Sequence, residues 1–270
     1  MKKLITRVGR RALRPFRPPI VKPQTGGNSF LDAGNQWYHP VLAGASTFAG
    51  PSTSPDTVRR VLRVLDQLTP DVYLEHVKGF CTAGLDRYGD QWRYADINTV
   101  LVTLAEALRP ATYLEIGVRR GRSLAMVASQ APDCRILACD LFIQNYGDME
   151  NPGPDFVNAE LARVGYRGEI EFVIGDSHVE LPRYFAAHPD TWLDMVTVDG
   201  DHSDEGARRD IACVLERLKV GGAIIFDDIS NQSFPGLAGV WRDMLEANRM
   251  YSTFTFDELG FGIGFAIRKA

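Results

Sequence analysis

The second half of the chain alternates between short apolar runs and helix-forming segments, and this alternation constrains the fold more than any other feature. From residue 111 onward, each apolar run is followed by a loop and then by a helical pattern. Such alternation is typical of a parallel sheet covered by helices on both faces. We predict strands over 111–116, 135–140, 170–174, 193–198 and 222–227, and helices that begin near Ser123, Pro154, His178 and Ser203.

The end of the chain departs from this alternation. After a predicted helix over 236–248, two strand-like runs, Tyr251–Phe256 and Phe261–Ile267, are separated by a short link that contains a glycine. A tight hairpin suits such a link. The whole pattern predicts an α/β fold, a doubly wound, Rossmann-like and mostly parallel seven-stranded sheet with a reversed last strand.

The first 109 residues differ in composition from the remainder. Residues 1–54 are rich in Pro, Gly, Ser and Asn and predict a basic arm with loops, whereas residues 55–109 predict a helical lid. One lid helix starts at Pro55 behind a capping Ser54, and another starts near Asp96. We therefore divide the chain into an arm (1–54), a lid (55–109) and a main domain (110–270).

Charge is distributed unevenly along the chain. The first 22 residues hold eight basic side chains and no acidic one, so 22 basic residues face all 34 acidic ones in the body. An acidic body argues against a nucleic-acid-binding face. We expect the basic arm to be solvated or to pack on a partner subunit. Contact with an anionic membrane is a second interpretation, and a secretory signal is the least favoured. The four cysteines show no metal-like spacing, and we expect a cytoplasmic protein.

The loop after the first predicted strand is the sharpest local motif. It reads Glu115-Ile-Gly117-Val-Arg-Arg-Gly121-Arg-Ser123. Glycine allows a tight turn and a close approach of backbone to ligand, and in doubly wound sheets ligands bind at the carboxyl ends of the strands. The spacing differs from the GxGxxG fingerprint of dinucleotide sites. An acid at the strand end suits a cationic cofactor better than a pyrophosphate.

Two further strand ends carry polar residues after apolar runs. The second strand ends in Asp140, where a carboxylate can accept both hydroxyls of a ribose, and the third is followed by Asp176 and Ser177, which suit an adenine amine. With the loop, these residues resemble the class I methyltransferases that use S-adenosylmethionine (SAM), over roughly residues 93–270. The resemblance implies that Glu115 and Gly117, with Gly121 and Ser123 in the same loop, bind the methionine part of SAM.

Four acids follow the fourth and fifth strands. Asp199 and Asp201 come after the fourth strand, and Asp227 and Asp228 end the fifth. If these strands pair, the acids meet at one edge, where their mutual repulsion favours a cation. Oxygen ligands suit Mg²⁺ or another hard divalent cation.

The motif Asp199-Gly-Asp201-His202, together with Gly-Gly-Ala-Ile-Ile-Phe-Asp227-Asp228, resembles the metal-dependent sugar O-methyltransferases of antibiotic biosynthesis, such as those acting on macrocin and noviose sugars. The resemblance implies Mg²⁺ held by Asp199, Asp227 and Asp228, with Asp201 as first choice of base and His202 as second. It further implies a small-molecule hydroxyl acceptor, a sugar of a glycosylated natural product, and a homo-oligomer without nucleic-acid or membrane partners.

Other functions stay open at this point. Catechol or phenol O-methyltransferases share a metal and an acid-rich rim, a hydroxylase relative has a similar acid cluster, and a non-catalytic SAM-binding subunit is a further alternative. The loops 141–156 and 229–237 are expected to shape the acceptor pocket. The arginines of the cofactor loop are expected to be solvated.

Overall fold

The computed structural model describes residues 42–145 and 150–270. Most of the predicted basic arm, residues 1–41, lies outside the described residues, as do residues 146–149 of the loop 141–156. No helix in the described ranges has both the length and the apolar character needed to cross a bilayer.

A single seven-stranded sheet forms the centre of the molecule. Its order is β3-β2-β1-β4-β5-β7-β6, and β7 runs antiparallel to both of its neighbours, β5 and β6. The strands are β1 Thr112–Ile116, β2 Arg135–Asp140, β3 Ile170–Ile174, β4 Leu193–Val198, β5 Leu218–Asp227, β6 Tyr251–Phe256 and β7 Ile263–Arg268. This order confirms the predicted doubly wound sheet with a reversed last strand.

Nine α-helices are described, and the last continues as one π-helical turn over Arg242–Glu246. They are α1 Ala45–Ser52, α2 Pro55–Leu65, α3 Val72–Tyr88, α4 Ile97–Leu108, α5 Arg122–Gln130, α6 Pro154–Arg163, α7 Ser177–Ala187, α8 Asp204–Leu215 and α9 Leu237–Trp241. Side-chain caps explain why two of the predicted helices, α2 and α4, begin where they do. The Ser54 hydroxyl accepts the Thr57 backbone N–H at 3.2 Å, and Asp96 forms a reciprocal capping box with Thr99.

Two helices were not predicted, α1 and α3. The α1 segment lies where we expected loops, and it docks through Phe48, which is 6% exposed and packs edge-on against Phe265. In α3 only Leu74 and Cys81 are buried, so its sequence lacks the continuous apolar stripe that identifies a helix.

The sheet is buried on both faces. Along β1, Tyr113 points into a core shared with helices α1 to α6, whereas Leu114 and Ile116 point into a core shared with α7, α8 and α9. Strand β5 begins four residues earlier than predicted, at Leu218, and a register irregularity opposite Leu193 accommodates the extra residues. Because both faces are covered, ligands reach the sheet only at its edges, and the site lies at the carboxyl ends of the parallel strands.

Candidate active site

A cavity of about 1040 Å³ opens where β1, β2, β4 and β5 end. This volume is at the upper end of the range of small-molecule sites, about 300–1000 Å³. A cavity of this size has room for a cofactor and an acceptor together. Ten of the twelve predicted site residues line it, namely Gly117, Ser123, Asp140, Asp176, Ser177, Asp199, Asp201, His202, Asp227 and Asp228, whereas Glu115 and Gly121 do not.

The cofactor loop follows β1 and crosses close to the end of β4. Gly117 has a φ of +90°, and a Cβ at this position would overlap the backbone carbonyl oxygen of Asp199. Gly121 has a φ of +74° and caps α5, with Val157 packed where its Cβ would be. Both glycines are therefore required by backbone geometry and close packing.

Glu115 lies beneath the cavity and does not line it. The side chain is fully buried, with one oxygen 2.5 Å from the Tyr113 hydroxyl and the other accepting a 2.6 Å hydrogen bond from Ser123. Burial raises the pKa of Glu115 to about 8, although the two hydrogen bonds oppose the shift. The structure thus places Glu115 in support of the loop, one hydrogen bond away from the cavity through Ser123.

We predict a stability signature for this buried carboxyl. Its pKa is about 8 in the folded chain against an ordinary value of 4.5, so the folded state binds the extra proton between these values. Stability should therefore fall as pH rises from 5 to 8, by up to about 1.4 kcal/mol per pH unit. Glu115→Gln should lack this component, as measured by urea unfolding at pH 5, 6.5 and 8. Exposed Glu258→Gln is the control, and identical pH profiles for Glu115→Gln and wild type would contradict the prediction.

Asp140 ends β2 and ties the cofactor loop to the strand. One carboxylate oxygen accepts the backbone N–H groups of Val118 and Arg119 at 2.7 and 2.8 Å. The other accepts the Phe142 N–H at 2.6 Å and the Asn151 amide at 3.2 Å. A ribose would approach a carboxylate that is already oriented by the loop.

The residues predicted at the adenine end make local contacts. Asp176 caps α7 by accepting the His178 N–H at 2.9 Å, and the Ser177 hydroxyl donates to buried Asp210 at 2.6 Å. The exposed apolar side chains of Leu141 and Ile143 line the cavity together with these residues. Both lie in the loop 141–156, which was expected to shape the acceptor pocket. They directly follow Asp140, which was predicted to bind the ribose of the cofactor.

Three residues that were predicted to bind the metal or to act as base converge where β4 and β5 end; they are Asp199, His202 and Asp228. His202 Nε2 lies 3.2 Å from Asp199 Oδ1 and 3.7 Å from Asp228 Oδ2, and one ligand atom from each residue falls within 4.8 Å of the other two. The hydrogen bond to the Asp199 carboxylate, which accepts it, raises the pKa of His202. Asp228 has a φ of +62°, which directs its side chain toward the cluster, and the Asn231 amide donates to it at 3.2 Å.

The other two predicted acids, Asp227 and Asp201, are not part of this three-residue cluster. Burial, followed by the charges of Asp199 and Asp228, holds the pKa of Asp227 well above its usual range. Asp201 is exposed, and its Oδ1 accepts the Ser203 N–H at 2.8 Å at the start of α8. The first-choice base of the sequence analysis therefore contacts a helix start, whereas the second choice, His202, contacts the carboxylates.

The arginines of the cofactor loop are not all solvated, which corrects the sequence expectation. Arg120 is 7% exposed and forms ion pairs with Asp71 at 2.8 Å and with Glu150. Arg122 stacks on the Tyr73 ring at 4.6 Å. Asp71 and Tyr73 lie at the start of α3, so these arginines fasten the lid to the cofactor loop.

Three aromatic side chains at the cavity were not predicted. Tyr73 comes from α3, Phe234 from the loop after β5 and Phe261 from the turn before β7, and all line the cavity. Phe234 lies in the loop expected to shape the acceptor pocket, but Tyr73 belongs to a helix without an apolar stripe. Desolvation of its hydroxyl, followed by the charge of Asp227, raises the pKa of Tyr73 to about 12, although the residue as a whole is 46% exposed.

The chain is similar to known methyltransferases in sequence and in fold. Residues 114–229 match the family model of a methyltransferase domain. Among solved structures, the O-methyltransferase TomG from Streptomyces achromogenes in complex with SAM is 20% identical and covers 75% of this chain and 92% of its own, with a TM-score of 0.52. Cofactor-bound Rv0187 from MTB is 19% identical, covers 79% and 90%, and has a TM-score of 0.52.

The O-methyltransferase from Bacillus cereus, solved with S-adenosylhomocysteine (SAH), is 16% identical over 79% of this chain and 91% of its own, with a TM-score of 0.50. At such identities the likeness shows the fold, and the search of curated proteins returned no match. The family model spans the loop from Glu115 to Gly121 and the acids from Asp199 to Asp228, so residues 114–229 of this chain are similar to a methyltransferase domain.

Proposed function

We propose that this methyltransferase is a metal-dependent O-methyltransferase that acts on a hydroxyl of a small molecule, a sugar of a glycosylated natural product such as an antibiotic. The observation that carries the proposal is the convergence of Asp199, Asp228 and His202 in the cavity where β4 and β5 end, whereas Asp140 and Asp176 lie at the ends of β2 and β3 on the other side of β1. This arrangement provides room for a cofactor at one end and a hydroxyl at the other.

The donor set fits a hard divalent cation. Asp199 and Asp228 supply carboxylate oxygens, and Asp227 is next to Asp228 in sequence. Burial first, and then the charge of Asp199, raises the pKa values of Asp227 and Asp228. Carboxylates suit Mg²⁺ or Mn²⁺. When bound, the cation would lower the pKa of an acceptor hydroxyl and fix its oxygen.

We assign the role of general base to His202. Its Nε2 faces the Asp199 carboxylate, and Phe234 packs on its ring with 4.8 Å between the ring centroids. This packing fixes the ring beside the position where a hydroxyl would contact Asp199 and Asp228. In the overall reaction the acceptor oxygen gains the methyl group of SAM as the methyl–sulfur bond breaks, and the hydroxyl proton passes to His202.

The lid and the loop provide the positioning that methyl transfer requires. The ion pairs of Arg120 and the stacking of Arg122 on Tyr73 hold the start of α3 over the cavity. Asp140 holds the backbone of residues 118 and 119 in place. Two bound reactants held in one enclosed site gain most of their rate from proximity.

We expect methyl transfer from SAM to at least one vicinal diol in a panel of glycosides and catechols. Excess EDTA should lower the rate at least tenfold and added Mg²⁺ should restore it, because a cation held by Asp199 and Asp228 would lower the pKa of the acceptor hydroxyl. Product masses and initial rates provide the measurement. A rate that excess chelator leaves intact would exclude the metal role, and retained SAM binding with no turnover on any diol would favour a non-catalytic SAM-binding subunit.

A further inference from the structure

A buried aspartate, Asp210, contacts two residues of the cavity near the end of β3. It belongs to α8, is 1% exposed and does not line the cavity itself. Its Oδ1 accepts a 2.6 Å hydrogen bond from the Ser177 hydroxyl and lies 3.2 Å from Nε2 of His178. Both of these partners line the cavity. A carboxylate outside the cavity therefore holds two side chains inside it.

The contact with Asp210 determines what the Ser177 hydroxyl offers to a ligand. A hydroxyl has one proton and two lone pairs. The proton of Ser177 is directed to the carboxylate, so only the lone pairs of its oxygen are left for a ligand. Burial raises the pKa of Asp210, and the hydrogen bond from Ser177 opposes this shift because it stabilises the ionised carboxylate. Toward the cavity, Ser177 is therefore an acceptor.

The tautomer of His178 follows from a second contact. Nε2 lies 3.1 Å from the backbone carbonyl oxygen of Gly206, which can only accept, so Nε2 carries a proton. In the neutral imidazole the other ring nitrogen, Nδ1, then has a lone pair. Nδ1 lies 3.5 Å from Oδ1 of Asp176, whose carboxylate also lines the cavity. Ser177, His178 and Asp176 together present three acceptors.

Acceptors arranged in this way fit a ligand group that only donates. The amino group at position 6 of adenine has two N–H donors. The exposed apolar side chains of Leu141 and Ile143 line the same cavity and offer surface to a purine. A carbonyl oxygen at position 6 would face the three acceptors, and polar groups that lose their hydrogen bonds on binding lower the affinity.

We propose that Asp210 is a positioning residue for the cofactor: it fixes Ser177 and His178 as acceptors, so that the protein binds a methyl donor with a 6-amino base and discriminates against one with a 6-oxo base. Asp210 itself touches neither the cofactor nor the reacting atoms. The inference rests on the proposed function in one respect, the use of SAM as methyl donor. It is independent of the metal and of the acceptor.

The test compares three ligands that differ at position 6 of the base. Calorimetry on the full-length protein measures the affinity for SAH, for S-inosylhomocysteine, which has a carbonyl at this position, and for the analogue with hydrogen there. S-inosylhomocysteine should bind about 100-fold more weakly than SAH, and the hydrogen analogue about tenfold more weakly. An affinity for either analogue within about threefold of that for SAH would overturn the inference.

Three variants connect this discrimination with Asp210. In Asp210→Leu the Ser177 hydroxyl can turn its proton toward a carbonyl, so the preference for SAH over S-inosylhomocysteine should fall to about tenfold. Ser177→Ala keeps the buried carboxylate and should show a similar fall. Asp210→Asn should retain most of the preference, because Ser177 and His178 both donate to the position of Oδ1, which an amide oxygen can occupy.

Asp194→Asn is the control for loss of a partly buried carboxylate. Asp194 accepts a 2.8 Å hydrogen bond from Lys219 but does not line the cavity, so this variant should keep the wild-type affinities. A wild-type preference that persists in both Asp210→Leu and Ser177→Ala would contradict the positioning role. So would an Asp210→Asn variant that loses as much of the preference as Asp210→Leu.

The same binding data separate failure of the inference from failure of the proposed function. If SAH does not bind, the use of SAM is overturned and the inference with it. If SAH and S-inosylhomocysteine bind equally, only the inference is overturned. Discrimination that Asp210→Leu and Ser177→Ala reduce, in a protein that transfers no methyl group to any diol, supports the inference and overturns the O-methylation.

Discussion

Substituting Asp228 or Asp199 by asparagine should lower kcat/KM for the acceptor by about 10³-fold. A loss of this size corresponds to about 4 kcal/mol of transition-state stabilisation, which matches the several kcal/mol that a Lewis-acid cation contributes. Asp228→Asn is the cleaner variant because Asp228 has a φ of +62°, a conformation that asparagine also adopts readily. The measurement is steady-state kinetics at saturating Mg²⁺.

Calorimetry with SAH accompanies these kinetics. The affinity for SAH should stay within threefold of wild type because the predicted cofactor residues Asp140 and Asp176 lie at the ends of β2 and β3, on the other side of β1 from Asp199 and Asp228. Asp257→Asn makes the same change in an exposed turn that does not line the cavity, and it should leave kcat/KM unaltered. If Asp228→Asn and Asp199→Asn each retain more than a third of wild-type kcat/KM, the acid cluster is not the chemical centre.

Gly117→Ala should abolish cofactor binding and destabilise the protein by about 3 kcal/mol or more. An alanine at a φ of +90° costs about 1–2 kcal/mol, and forcing its Cβ against the Asp199 carbonyl oxygen costs about 1–3 kcal/mol more. The two loops must then separate, which displaces both the cofactor loop and the chain that carries Asp199. Denaturant unfolding and SAH calorimetry measure the two effects.

Gly165→Ala is the matched control for this substitution. Gly165 lies just after α6 and also has a positive φ, +80°, but nothing lies within 4 Å of the position its Cβ would take. This variant should lose only about 1 kcal/mol of stability and bind SAH normally. Equal losses of stability in the two variants would show that the close contact between the cofactor loop and the Asp199 backbone does not contribute to stability.

The strands were predictable because each parallel strand is buried on both faces and therefore reads as a short continuous apolar run. The predicted strands 135–140, 170–174 and 193–198 agree with β2, β3 and β4 to the residue. The start of β5 was not predictable, because Leu218 pairs with Leu193 across a register irregularity that depends on the neighbouring strand. Helix α3 was missed because it buries only two residues.

The sequence predicted which residues lie at the site better than it predicted what each side chain contacts. A strand end identifies which acids reach the cavity edge, and ten of the twelve predicted residues line the cavity. It does not identify where each side chain points. Asp201 and His202 are adjacent in sequence, yet one accepts a backbone N–H of its own loop and the other faces Asp199 and Asp228.

The sequence by itself determined the order of strands and helices, the glycine loop that identifies the methyltransferase domain, and the acids at four strand ends. These features depend on local periodicity and backbone conformation, which neighbouring residues set. Tertiary structure alone decided that Glu115 lies beneath the cavity, that Arg120 fastens the lid, and that Tyr73 and Phe261 line the same cavity as the acids. Such contacts join residues far apart in the chain, and only the packed fold brings them within reach of one another.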